Sequence, residues 1–99
     1  SNQYYINEME PPALVQKRWM DLEEKYGREN IDRAIKLAGQ LNDPEDPGLA
    51  ERYIQLIEQY GYSKVRQANN ITARLSVENP KRHIGYTISI LTKDSENLY

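Results

Sequence analysis

Apolar residues recur every three or four positions along most of this chain, in runs separated by glycine, proline or acidic clusters. That spacing is the signature of an amphipathic helix. Val15, Trp19, Leu22 and Tyr26 share one helical face and predict a first helix over 12–26. Pro11-Pro12 open it, and Gly27 follows as a left-handed C′ residue. Ile31, Ala34, Ile35, Ala38 and Leu41 predict a second helix over 29–41. Two prolines, three acids and a glycine in residues 42–48 then make a loop. Leu49, Tyr53, Leu56, Ile57 and Tyr60 predict a third helix over 48–60, closed by Gly61. Ser63 reads as the N-cap of a fourth helix over 64–75, with Val65, Ala68, Ile71, Thr72 and Leu75 as its stripe. Asn79-Pro80 reads as an N-cap followed by a first-turn proline. It predicts a fifth helix over 80–93 carrying Ile84, Ile88 and Leu91. The Ile88-Ser89-Ile90 neighbourhood also alternates as a strand would. Residues 1–10 show no period and read as an arm, and 94–99 as a frayed tail. The expected architecture is all-α: one domain over 11–93, a compact bundle of about five helices.

The pattern repeats. Residues 18–41 laid over 52–75 without a gap give identities at Arg18/Arg52, Leu22/Leu56, Glu24/Glu58, Tyr26/Tyr60, Gly27/Gly61, Ala34/Ala68 and Leu41/Leu75. The matches fall on core faces and turns. The physical reading is one helical hairpin used twice, followed by a closing helix. The period of 34 is also that of tetratricopeptide repeats. Trp19-x-x-Leu22-x-x-x-Tyr26 is similar to the start of that consensus, and Pro47 falls near its terminal proline. Glu23 stands where a small residue belongs, however, and the turn is one residue short, so Ala34 is out of frame. A protein-interaction module of helical hairpins, without nucleic-acid binding, is the alternative this supports.

Composition narrows the options. Hydrophobic residues are 38% and charged residues 28% of 99, which suits a folded, water-soluble helical chain. There is no cysteine, hence no disulfide and no thiol nucleophile, and a cytoplasmic location is the expectation. A chain that does not open on Met is expected of a fragment. With no phenylalanine and eight tyrosines, the core must draw on Leu, Ile, Val and tyrosine rings. The net charge of −2 hides an asymmetry. Residues 64–93 carry Lys64, Arg66, Arg74, Lys81, Arg82 and Lys93 against Glu78 alone. A basic segment of this kind marks a surface for nucleic acid or an acidic partner.

Catalytic chemistry finds little footing. His83 is the only histidine and sits beside two cations, which reads as a solvated side chain. The five glycines are scattered, so no phosphate loop forms, and Asp43-Pro44-Glu45-Asp46 lacks the spacing of a calcium loop. No enzyme activity, cofactor, metal, membrane span or small-molecule substrate is expected.

Residues 50–94 carry Tyr53, Glu58-Gln59-Tyr60-Gly61, Val65, Ala68 and then Tyr86-Thr87-Ile88-Ser89-Ile90-Leu91. This resembles the C-terminal domain of the DnaD/DnaB-like primosomal proteins of Gram-positive bacteria and their phages. That family has a helix ending near Tyr-Gly, a helix with small residues, and a last helix of the form Tyr-x-x-x-Ile-Leu-x-x-Trp. Asp94 stands in place of the closing tryptophan. The resemblance implies a role in replication restart or initiation, contacting single-stranded DNA and other replication proteins, with Tyr86, Ile90 and Leu91 carried over. Self-association is a further expected partnership. The candidate nucleic-acid-binding residues are Lys64, Arg66, Arg74, Lys81, Arg82, Tyr86 and Lys93.

Overall fold

A computed structural model describes residues 11–97 and places five helices there: α1 Pro12–Tyr26, α2 Arg28–Gln40, α3 Pro47–Tyr60, α4 Tyr62–Ala73 and α5 Ile84–Asn97. No strand occurs among the described residues, so the alternating Ile-Ser-Ile segment is helical. The expected arm, 1–10, and the last two residues lie outside the described residues.

The repeat is built into the backbone. α1 and α3 end 34 residues apart, and α2 and α4 begin 34 apart. Each hairpin turns on one glycine: Gly27 at φ +89°, ψ 157° and Gly61 at φ +88°, ψ 147°. The Gly27 N–H donates to Glu23 O at 2.9 Å, and Gly27 O accepts from Ile31 N at 3.3 Å. The Gly61 N–H donates to Ile57 O at 2.8 Å, and Gly61 O accepts from Val65 N at 3.2 Å. One residue therefore ends one helix and starts the next. The positive φ agrees with the sequence expectation. The extended ψ does not, because a left-handed helical C′ residue would not launch a new helix at the next position. The same economy displaces Ser63. Gly61 takes the cap position of α4, and Ser63 lies inside the first turn.

α3 opens with Pro47 at its first position, and Asp46 Oδ1 accepts from Gly48 N at 2.9 Å and Leu49 N at 3.2 Å. One carboxylate thus satisfies two of the otherwise unpaired N–H groups of the first turn.

α5 corrects the sequence reading. Asn79-Pro80 starts a turn, with Asn79 Oδ1 accepting from Lys81 N at 2.9 Å and Asn79 O from Arg82 N at 3.0 Å. The helix begins four residues later, and His83 Nδ1 accepts from Gly85 N at 3.0 Å. His83 is thus exposed, as expected, but occupied at the start of α5. A Cβ on Gly85 would lie 2.6 Å from the imidazole, so glycine is what admits the ring. At its other end α5 continues to Asn97, through most of the expected tail.

α3 lies across α2 and touches α1, α4 lies against α3 and α2, and α5 covers α4. Leu22, Leu37, Tyr53, Ile54, Val65 and Leu91 are among the side chains that fill the core between them. Ala34 and Ala68, at equivalent positions, are both buried and let helices approach closely. Ile71, assigned to the α4 stripe by period, is 45% exposed at the edge of α5.

The core also holds a polar network. Asn69 Oδ1 accepts from Tyr53 Oη at 2.6 Å and Thr87 Oγ1 at 2.9 Å. Its Nδ2 donates to Leu37 O at 2.9 Å and Gln40 Oε1 at 2.8 Å. The Leu37 carbonyl can only accept, which fixes the orientation of the amide. Because Thr87 donates to Asn69, Thr72 must be the donor in the 2.8 Å Thr72–Thr87 contact. All four bonds of one buried amide are made, and they join α2, α3, α4 and α5.

Candidate nucleic-acid interface

The two hairpins bring α2 and α4 side by side, and cations from both halves of the chain meet there. Tyr62 opens α4, and Arg66 follows one turn later on the same side. The Arg66 guanidinium lies 6.0 Å from the Tyr62 ring centroid, and that of Arg33, from α2, at 4.8 Å. A guanidinium on an aromatic face is attracted by the ring quadrupole, which holds it in place. Arg33 is held further by Glu29 at 2.9 Å. Beside them a groove of about 250 Å³ is lined by Lys36, Leu37, Gln40, Tyr62 and Arg66. No carboxylate lines it. Lys36 and Arg66 are exposed and form no ion pair among the described residues, so both charges face solvent.

Gln40 forms the floor at one end. Its Nε2 donates to Asn70 Oδ1 at 2.6 Å, and its carbonyl accepts from the Arg82 guanidinium at 2.9 Å. That carbonyl belongs to the last residue of α2, where the helix dipole favours a cation. Arg82 is half-buried, and its Nε is buried without a partner. Its first role is therefore to strap the α4–α5 loop to the end of α2.

The candidate residues from the sequence divide. Arg66 lines this groove, and Arg82 ties down its end. Lys64 is two residues from Arg66, a rotation of about 200° around α4, and so occupies the opposite flank. It lines a separate groove of about 280 Å³ between α4 and α5, with Ile71, Asp94 and Ser95. Arg74, Lys81 and Lys93 are exposed and line neither groove, and Tyr86 is half-buried. Ile90 is half-buried and Leu91 buried, so both serve the packing of α5. Sequence reasoning missed Arg33, Lys36 and Tyr62. The signal that could have found them is the repeat itself, which sets α2 against α4.

A larger groove, about 350 Å³, lies between α1 and α3, but its charges are mixed. Lys25 approaches Glu51 at 3.7 Å there, and Tyr26 Oη donates to Glu51 at 2.9 Å. Among the described residues no group of His, Cys, Asp or Glu is placed to hold a metal, and no helix is long and apolar enough to cross a membrane. The chain matches no protein-family model, no curated protein and no solved structure.

Proposed function

We propose that the chain is a DNA-replication-associated binding module that holds single-stranded DNA by its phosphates in the groove between α2 and α4. The observation that carries this reading is the pair of uncompensated cations, Lys36 and Arg66, with the Arg33 guanidinium beside them on the Tyr62 ring. Cations fixed along a groove attract a polyanion by releasing its counterions. The Tyr62 ring faces its own arginines, so it orients charge and does not offer itself to a base. Recognition is then of the backbone and independent of sequence. The replication context rests on the resemblance of residues 50–94. In its support, α3 ends at Tyr60, Gly61 follows, α4 carries Val65 and Ala68, and α5 carries Tyr86, Ile90 and Leu91.

The test is fluorescence anisotropy with a labelled oligo-dT strand. Contact with about three phosphates gives a salt slope near −2 for a single strand, so affinity falls roughly 20-fold between about 50 and about 200 mM salt. The double variant Lys36→Glu/Arg66→Glu loses binding, and Lys64→Glu/Lys93→Glu retains it. No binding at low salt, binding indifferent to salt, or equal behaviour of the two variants would sink the proposal.

A further inference from the structure

The 34-residue period has a third member. Ala50, Tyr53, Ile54 and Ile57 are among the α3 residues buried in the core (another, Leu56, matches Leu22, which is buried in α1), and 34 residues on stand Ile84, Thr87, Ile88 and Leu91 of α5. Of these Ile84, Thr87 and Leu91 are buried and Ile88 half-buried. α5 thus repeats the placement of α3, the one covering α4 as the other covers α2. The molecule is a stack of two hairpins completed by a third first-helix, which closes that end.

Among the described residues, the opposite end is open. The same four positions in α1 are Gln16, Trp19, Met20 and Glu23. Gln16 and Glu23 are exposed, Trp19 is half-buried, and Met20 is 61% exposed. With Arg28 and Ile35 they border a groove of about 270 Å³. Each of the four positions is more exposed in α1 than in α3 or α5.

We propose that a second copy of this chain docks on this face, with the two α1 helices antiparallel across a two-fold axis between Trp19 and Met20. A stack open at one end and closed at the other has one self-complementary surface, which gives a closed dimer and no filament. Under that axis Trp19 lies against the partner subunit's Met20, an aromatic–thioether contact made twice. Glu23 is paired with Arg28 at 3.4 Å, and Gln16 lies opposite the partner subunit's Glu23, so an amide donor meets that carboxylate at each end. The two Glu23 side chains are seven helical residues apart along the axis, about 10 Å, and do not oppose each other. This charge pattern also argues against a preceding hairpin as the occupant. Such a hairpin would bury Gln16 and Glu23 where the later copies have Ala50 and Ile57.

A face of one helix and part of another is small beside the ~800 Å² per partner of a stable interface, so the expected dissociation constant is roughly 10–100 μM. Sedimentation equilibrium of the full chain from about 10 μM to about 1 mM tests it. The average mass rises toward the dimer, and Trp19, the only tryptophan, becomes shielded from iodide over the same range. Met20→Glu, at an exposed position, weakens association at least tenfold. Gln55→Glu, an equal charge on an exposed site of α3, leaves it unchanged. Gln16→Lys tightens it by pairing with the partner's Glu23. A monomer at the highest concentration overturns the proposal, whether Trp19 is accessible to iodide (a face left for another protein) or shielded (a face covered by residues 1–10). Dimers that survive Met20→Glu unchanged overturn it as well.

Discussion

Replacing Asn69 with alanine removes four hydrogen bonds, but the cost is set by what is left behind. Leu37 O loses its donor. The N–H that would ordinarily reach it, that of Leu41, is bonded to Ala38 O at 3.0 Å instead. The Tyr53 hydroxyl is fully buried and loses its acceptor. Each stranded group costs ~1–3 kcal/mol, and Thr87 and Gln40 lose partners less completely. The sum is roughly 3–5 kcal/mol against a total near 5–10 for a domain of this size. Thr72→Val breaks only the far end of the chain of hydroxyls, since Thr87 still donates to Asn69. It should cost about 1 kcal/mol. Urea unfolding followed by circular dichroism measures both, provided the slope with denaturant is unchanged. In thermal scans Asn69→Ala should lower the midpoint by more than about 12 °C, against roughly 4–8 °C for Thr72→Val. Equal costs for the two, or less than about 1 kcal/mol for Asn69→Ala, would refute the claim that the amide organises the core.

Gly27→Ala and Gly61→Ala should each cost about 1–3 kcal/mol, because positive φ with extended ψ is essentially a glycine conformation. Nothing lies within 4 Å of either added Cβ, so the cost is backbone strain alone. The two values should agree closely, and a large difference in urea midpoints would contradict the shared geometry. Burial pushes the Tyr53 hydroxyl above its ordinary value of 10.0. The unfolded chain therefore loses this proton first. The Tyr53 contribution is intact below pH 10 and falls by about 1.4 kcal/mol per pH unit above it. Tyr53→Phe should flatten that part of the profile in denaturation from pH 8 to 11. Asp46→Ala should cost about 1 kcal/mol by uncapping α3, a loss that Asp46→Asn largely restores in the same assay.

Much of this fold is legible in the sequence because one device was repeated. The spacing of Val15, Trp19, Leu22 and Tyr26 bounds α1 at both ends, and the Tyr-Gly pairs mark both hairpin turns. α5 was misplaced because an N-cap residue before proline is equally the signature of an isolated turn. The deciding residue, His83, has no standing as a cap in sequence rules. Ile71 was misjudged because period gives a face and not the neighbour that covers it. Asn69 is a polar residue among polar residues, and nothing in the sequence marks it as buried. The charge reading named Arg66, which lines the groove, and passed over Lys36, because counting cations along the chain favours neighbours in sequence. The groove joins residues from the two hairpins, with Lys36 and Arg66 thirty positions apart in the chain.

The Asn69 junction also has a kinetic meaning. Each hairpin closes over a single glycine, with contacts local in sequence and quick to form. The bonds from Asn69 to Leu37 and Gln40 span 32 and 29 residues, and require both hairpins to be in place first. They are expected to form last, after the barrier. Asn69→Ala should then accelerate unfolding with little effect on the folding rate, and the amide acts as a latch on the escape from the native state.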